Sequence, residues 1–446
     1  MSGSTKQTNF GSRLGFILAS AGSAVGLGAI WKFPYMAGTN GGSVFLFPYV
    51  LLTFTVGLVL LVAEIALGRT GRGGIVTAYR RLGGPIFVPA GYLGVLTGFL
   101  VLCFYSAIGG WTIAYFCEAL TGTGLITDQS QLGAHFEELT ANPVTALGFQ
   151  WLFLLINGLI VALDVTKGIE RVSKVLMPLL FVMMLVLIVR GLMLPGAMAG
   201  VEFLFKFDPD AFTLDGLLAA MGFTFFSLCV GCGCMLTYGS YLDRKTNLLS
   251  GCLWIAFLGV IASLLGGLMI MPSVFAFGLD PTAGPGLTFI TMPAVFAQIP
   301  FGQIFAIMFY LCIVVAAVTS SVSMIEILVA FLVDEKKLSR PSAAVLSTVA
   351  LAIVGALPCL SFGLLSDVKF FNRNFFDLFD FFTSNLSLPV GGLIILVLAG
   401  WWCWPKVSQD IAGDVPRSNR WFLWLRVMML VVSPLLVLAV LVSGLM

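Results

Sequence analysis

Eleven apolar runs, most of them long enough to cross a bilayer, dominate the sequence and leave little room for any other architecture. They lie at about 13–36, 42–68, 88–120, 147–164, 171–193, 214–240, 250–276, 299–332, 343–362, 375–403 and 421–444, separated by polar or Gly/Pro-rich connections. A helix needs about 20 apolar residues to span the hydrocarbon core, where only helices and closed barrels satisfy their own backbone. The residues are 59% hydrophobic and 10% charged, a balance foreign to soluble domains of this size. The fold class expected is all-α and polytopic, one transmembrane domain over residues 1–446 in the cell (inner) membrane. The first ten residues are polar and the first run continues into a full span, so no cleavable signal is expected.

Basic residues gather on alternate connections. Lys6 and Arg13 precede the first run, and Arg69, Arg72, Arg80 and Arg81 follow the second. Lys167, Arg171 and Lys174 lie between the fourth and fifth; Arg244 and Lys245 follow the sixth. Lys336, Lys337 and Arg340 follow the eighth, and Lys406, Arg417 and Arg420 the tenth. The other face carries Arg190, Lys206, Lys369 and Arg373. Basic loops stay cytoplasmic. The N-terminus is therefore expected in the cytoplasm and, after an odd number of crossings, the C-terminus outside.

Two runs contain their own breaks. Gly22-Ser23-Ala24-Val25-Gly26-Leu27-Gly28 puts three glycines into seven residues, just before Lys32 and Pro34. Each glycine costs roughly 1 kcal/mol in a helix interior relative to alanine. Gly231-Cys232-Gly233 does the same in the sixth run. Small residues also serve close helix packing. Non-helical backbone at bilayer depth, however, persists only where it is buried or lines a cavity, and there its carbonyls suit cations and its N–H groups suit polar ligands. The two broken runs are five apart, an odd offset that inverts topology. This is the pattern of inverted five-helix repeats, about 13–193 and 214–403, with helix eleven (421–444) outside them and helices 1 and 6 unwound at mid-membrane.

Other chemistries find little support. The single histidine, His135, falls in the polar loop 122–146. No nucleophile–base set, cofactor loop or metal cluster is present, so an enzyme is not expected. Cys229, Cys232 and Cys234 are near enough to act as ligands, but a zinc site needs four good donors and no His or acidic partner is nearby. They read better as small pocket-lining residues. No continuous polar face runs along any span, which argues against a channel.

RLGFILASAGSAVGLGAIWKFPYMAGTNGG at 13–42 resembles the first helix of the neurotransmitter:sodium symporter family. The resemblance continues through FPYV at 47–50, Tyr105-Ser106 with Gly110-Trp111, SLCVGCGCMLTYGSYL at 227–242 and PTAGPGLTF at 281–289. It ends with TSSVSMIE at 319–326 and Asp380 with Thr383-Ser384-Asn385. It implies sodium-driven uptake of an amino acid, amine or related small molecule.

Carried over residue by residue, it implies a second sodium site from the carbonyls of Gly22, Val25 and Ala316 and the hydroxyls of Thr319 and Ser320. The other use of such hydroxyls is bonding back to their own helix. The first sodium site departs from the family. Ala29 stands where an Asn is usual, and Gly259, with Leu258 beside it, where Asn or Asp is usual; Ser227 keeps a hydroxyl and Ala24 a carbonyl. One sodium, at the second site, is expected. Tyr49, Ser227 and Ser263 resemble chloride ligands, but Phe223 replaces the expected Gln and argues against chloride.

The implied substrate contacts are Ser23, Ala24, Leu27, Gly28, Val101, Tyr105, Phe226, Ser227, Cys229, Cys232, Ser320 and Met324. None is acidic, and the Asp of amine carriers is replaced here by Gly26 or a neighbour. In amino-acid carriers the substrate carboxylate completes the first sodium site, so its loss removes a reason for a carboxylate. Tyr105 and the helix-end N–H groups remain able to take one. The expected substrate is small and apolar, a carboxylate-free aromatic or heterocycle (indole-like), imported by sodium-coupled alternating access. A hydrophobic L-amino acid is the alternative, and a non-transporting membrane sensor a further one.

Gates follow from the same resemblance and argue against the sensor. Lys32 and Asp380 match the outer pair, while Asp334 with Lys6, near Tyr241, matches the inner one, with Phe10 as its aromatic. Gly168 and Pro178 enclose nine residues, as in the family's helix-five unwinding motif. The connection 277–298 is long enough for an outer lid. Glu64 and Glu326, inside spans, read as hydrogen-bonding carboxylates. The expected partners are a small-molecule substrate and the lipid bilayer, with no nucleic acid and the chain acting as a monomer.

Overall fold

A computed structural model describes residues 9–126, 129–282, 286–412 and 420–445. Among them, nine helices are long and apolar enough to cross a membrane: Ser43–Gly71, Pro85–Thr121, Pro143–Ala162, Thr166–Leu192, Leu248–Ala276, Gly302–Lys336, Arg340–Phe362, Phe375–Trp402 and Arg420–Leu445. A tenth span is the bent pair Arg13–Ala24 and Gly28–Thr39, whose halves meet at 43°. The eleventh is split into Leu214–Ser227 and Cys234–Ser240. In chain order the two divided helices are the first and sixth spans, which is the all-α architecture with its breaks where the glycines put them.

The divided spans sit at the centre because their neighbours hold the broken backbone. Val25–Leu27 interrupts the first span: the Val25 N–H still donates to the Ala21 carbonyl at 2.7 Å, while the Leu27 N–H donates to the Tyr105 hydroxyl at 3.2 Å. In the sixth span Cys229, Gly231 and Gly233 have φ of 53°, 97° and 88°. Left-handed backbone favours glycine, and Cys229 adopts it without that advantage. The fully buried Glu64 stabilises this break by accepting the Gly231 N–H at 2.9 Å and the Leu236 N–H at 3.5 Å. A hydrogen bond of this kind contributes about 0.5–1.5 kcal/mol net. Glu64 thus acts as a hydrogen-bonding carboxylate that substitutes for the missing helical acceptors.

Connections expected as loops carry helices of their own. Gln129–Ala141 is helical within the polar stretch 122–146, where His135 Nε2 lies 3.0 Å from Glu118. Leu287–Gln298 forms a short apolar helix in the seventh-to-eighth connection. Its Phe289 packs on Trp111, Tyr115 and Phe136. Composition hid both: polar sequence masks a surface helix, and a Pro/Gly-rich flank masks a short apolar one.

Candidate functional site

Between the two breaks lies a small cavity, about 20 Å³. The first span contributes Ser23, Ala24, Gly26 and Gly28; the third adds Val101 and Tyr105. The sixth adds Phe225, Phe226, Cys229 and Cys232, the eighth Ser320 and Met324, and the tenth Leu388. Ten of the twelve residues implied by the sequence line it, and Leu27 and Ser227 do not. Leu27 meets the site only through its N–H, on the Tyr105 hydroxyl. Ser227 turns away to the Tyr49 hydroxyl at 2.9 Å, which also reaches Ser263 at 3.1 Å. Three lining residues were not among the expected contacts: Gly26, named in the sequence only as standing where amine carriers have an Asp, and Phe225 and Leu388. Phe225 directly precedes Phe226 in a helix that ends at Ser227, so adjacency to the break was the signal. Leu388 carried none.

The walls are apolar with scattered hydroxyls, the usual make-up of a small-molecule site. Gly26 is tightly enclosed: a Cβ there would lie 2.5 Å from the Ser320 Cβ and 3.1 Å from the Tyr105 hydroxyl. An acidic side chain cannot fit at that position.

Around the second sodium position the first and eighth spans touch. A Cβ on Gly22 would meet the Thr319 Cβ at 3.3 Å, and Ser320 donates to the Ser23 carbonyl at 3.1 Å. Thr319 donates to the carbonyls of Val315 and Ala316, both at 3.1 Å. Its hydroxyl oxygen keeps lone pairs free for a cation while the proton is held by its own helix. Gly22, Val25 and Ala316 carry backbone carbonyls and Thr319 and Ser320 hydroxyls, the oxygen types that suit a small hard ion. The first position offers no such set. A Cβ on Gly259 would meet only the Ala24 Cβ at 3.6 Å and Leu228 Cδ2 at 4.0 Å, and Ala29 is fully buried.

A vestibule of about 550 Å³ opens above the cavity, on the membrane face away from the basic loops. Lys32, Tyr35, Asp215, Asp380, Ser384 and Asn385 line it, and it shares Phe225, Phe226 and Leu388 with the cavity below. The expected Lys32–Asp380 pair is not formed: among the described ion pairs none joins them. Lys32 Nζ instead lies 4.1 Å from the centre of the Phe226 ring, and Asp380 accepts from Ser384 at 2.8 Å. The open vestibule keeps the two charges apart in water.

The opposite side is closed, by contacts other than those expected. Lys6 lies outside the described residues. Asp334 accepts the Gly74 N–H at 2.6 Å, and Tyr241 donates to Glu326 at 2.6 Å rather than to Asp334. Arg340 clasps both oxygens of the fully buried Glu326, at 2.9 and 2.5 Å, and its Nε donates to the Leu163 carbonyl at 2.6 Å. One carboxylate thereby ties the fourth, sixth, eighth and ninth spans. Phe10 packs edge-on against Phe16, Tyr238 and Tyr241, and its N–H donates to the Tyr241 carbonyl at 3.1 Å. Glu170 accepts from Gly11 at 2.7 Å and Ser12 at 2.8 Å. The interval from Gly168 to Pro178 is wound, inside Thr166–Leu192, which agrees with this closed face.

A model of the sodium:neurotransmitter symporter family matches residues 7–129 and 148–446. An uncharacterized sodium-dependent transporter of Bacillus subtilis (strain 168), YhdH, is 44% identical over 393 residues, 87% of each chain. An uncharacterized sodium-dependent transporter of Haemophilus influenzae is 30% identical over 457 residues, covering 99% of this chain and 98% of its own. The crystal structure of MhsT in complex with L-phenylalanine superposes with a TM-score of 0.91 at 37% identity, covering 98% of this chain and 99% of MhsT.

Proposed function

The chain belongs to the sodium:neurotransmitter symporter family and is a multi-pass sodium-dependent transporter, not an enzyme; from that premise we propose that a single sodium ion drives import of a small aromatic molecule without a carboxylate, indole-like in shape. The ion is held by Gly22, Val25, Ala316, Thr319 and Ser320. The observation that carries the substrate assignment is the apolar first position, where the neighbours of Gly259 are carbon atoms of Ala24 and Leu228. A carboxylate buried there would rely on N–H groups and Tyr105 alone, and a buried charge is costly unless paired. The cavity offers instead the rings of Phe225, Phe226 and Tyr105, which suit a flat apolar partner.

The cycle uses this chain's own parts. Substrate descends the vestibule past Lys32 and Asp380 and displaces the Phe225–Phe226–Leu388 ceiling. Sodium and substrate together draw the first and eighth spans onto the third and sixth, since Ser320 borders both places. Lys32 and Asp380 then approach as the vestibule narrows. Release requires the Glu326–Arg340–Tyr241 clasp and the Phe10 packing to part, with unwinding between Gly168 and Pro178 giving water a route to the sodium. On this reading residues 13–193 and 214–403 move as inverted repeats, helix eleven stays outside them, the N-terminus is cytoplasmic and the chain works as a monomer. Chloride has no part: the Tyr49, Ser227 and Ser263 hydroxyls bond one another beside the Phe223 ring, whose centre is 4.9 Å from that of Tyr49.

A hydrophobic L-amino acid is the second reading. The bound L-phenylalanine of MhsT and the Tyr105 hydroxyl beside the Leu27 N–H favour it. Flux into proteoliposomes under a sodium gradient tests transport itself. Saturable uptake of an indole-class compound, abolished when potassium replaces sodium, is the expected result. Uptake indifferent to sodium overturns the coupling, and uptake confined to amino acids moves the substrate to the second reading.

A further inference from the structure

Cys229-Val230-Gly231-Cys232 is a C-x-x-C motif placed in the wall of the cavity. The transport cycle as derived gives its thiols no task beyond lining. Both cysteines are free and buried, at 4% and 2% exposure, and both border the same space. The chain turns sharply here: the left-handed φ of Cys229 and Gly231 folds residue 232 back over residue 229. The Cys232 thiol accordingly points at the Cys229 carbonyl, 3.7 Å away, and both side chains border the one cavity. Cys234 is otherwise engaged, 3.3 Å from the Ser23 hydroxyl and donating to the Ser323 carbonyl at 3.6 Å. A disulfide needs Cα atoms within about 4.4–6.8 Å and Cβ vectors that converge. With two intervening residues in a non-helical turn and the Cys232 thiol already over the Cys229 carbonyl, the pair is in the sequence range that such a bridge can span.

We propose that Cys229 and Cys232 form a peroxide-sensitive dithiol switch, whose oxidation to a disulfide fixes the break of the sixth span and stops transport. The vestibule and the cavity share Phe225, Phe226 and Leu388 in their walls, so movement of these side chains gives a small oxidant its way in. It faces the outside on the orientation above, the side where disulfides persist. One thiol gives up its proton and, as thiolate, attacks hydrogen peroxide; the O–O bond breaks, a sulfenic acid forms, and the departing hydroxide takes that proton to leave as water. The second thiol attacks the sulfenic sulfur, the S–S bond forms, and a second water leaves with the hydroxyl oxygen. The two sulfurs together lose two electrons, which the peroxide takes up. The break must rearrange in every cycle, so tying its two ends through sulfur arrests it in one state and removes both thiols from the cavity wall.

The link to transport rests on the proposed cavity as substrate site, but the cross-link is read without any substrate. Protein in lipid vesicles is treated with hydrogen peroxide and then with dithiothreitol, and is followed by sodium-gradient uptake and by peptide mapping of the 229–232 segment. Peroxide should lower uptake about tenfold or more, and dithiothreitol should restore it, because a disulfide is the reversible rung of thiol oxidation. The map should show a Cys229–Cys232 cross-link. Cys229→Ser and Cys232→Ser, each compared with its own untreated rate, should lose the reversible component. An equal reversible loss in Cys232→Ser, a cross-link to Cys234 instead, or a cross-link that leaves uptake unchanged overturns the proposal. A Cys229–Cys232 cross-link in a protein that moves no indole-class compound overturns the substrate assignment and leaves the dithiol chemistry standing.

Discussion

Two places beside the same broken helix have diverged. At one, the first and eighth spans touch through Gly22 and Thr319 and through the bond of Ser320 to the Ser23 carbonyl, and the proposed ligands are all oxygens. At the other, a few residues along, Ala29 and Gly259 present carbon where the family presents side-chain oxygen. The backbone break is common to both, so the break alone does not make an ion site. What differs is whether neighbouring spans complete the coordination. That difference bears on the substrate, because an ion beside the ligand is what makes a buried carboxylate affordable.

The largest expected effect comes from emptying the retained position. Thr319→Ala with Ser320→Ala removes two ligand oxygens, each contributing about 1.5–3 kcal/mol in contact with a charge. Sodium affinity should fall about a hundredfold or more, and sodium-dependent uptake should vanish while the purified protein stays monodisperse. Intact sodium dependence in this double variant would break the comparison outright.

Next is the cavity glycine packed on Ser320, the residue that borders both positions. Gly26→Ala places a Cβ 2.5 Å from the Ser320 Cβ. Overpacking of this kind costs about 1–3 kcal/mol, so roughly tenfold weaker substrate binding is expected by equilibrium binding. Parental affinity would mean that the first span relaxes more than its packing allows.

Rebuilding the lost position sharpens the contrast in the other direction. Ala29→Asn with Gly259→Asn returns both oxygens, and the carbon neighbours of Gly259, at 3.6 and 4.0 Å, leave room for the second. Preference should shift toward L-phenylalanine over indole by about fivefold, on the scale of one charge-assisted hydrogen bond. The sodium dependence of binding should also steepen. An unchanged preference would detach substrate choice from the first position.

Smallest is the vestibule pair. Asp380→Ala should slow turnover a few-fold and leave equilibrium binding nearly unchanged, because exposed charges contribute about 0–1 kcal/mol and this pair meets only on closure. Single-turnover and steady-state rates separate the two. Equal turnover in variant and parent would assign closure to Phe226 and leave Lys32 as its cation–π neighbour.

Sequence made some of this legible and not the rest, for physical reasons. Breaks at Gly22–Gly28 and Gly231–Gly233 were readable because glycine runs contradict helix propensity at a depth where backbone must be satisfied. Cavity residues on the broken helices followed from the motifs that carry the breaks. Leu388 did not, since an apolar residue in an apolar span says nothing about which face it presents. Of the expected inner pair, Lys6 lies outside the described residues and Asp334 accepts the Gly74 N–H, while a further clasp closes the same face. The Glu326–Arg340 clasp joins two helices across the 337–339 turn, and Arg340 reads in sequence as one more basic loop residue. Winding between Gly168 and Pro178 belongs to the conformational state, which no sequence motif fixes.

The central claim is that one sodium is held and no carboxylate is paired with a second. Sodium-dependent binding of indole, tryptamine and L-tryptophan to the purified protein in lipid, measured across a sodium titration, tests it most directly. The account predicts tightest binding for indole, no gain from the tryptamine ammonium, weakest binding for tryptophan, and a titration that fits one ion. Tight tryptophan binding with two ions and no response to indole would contradict it.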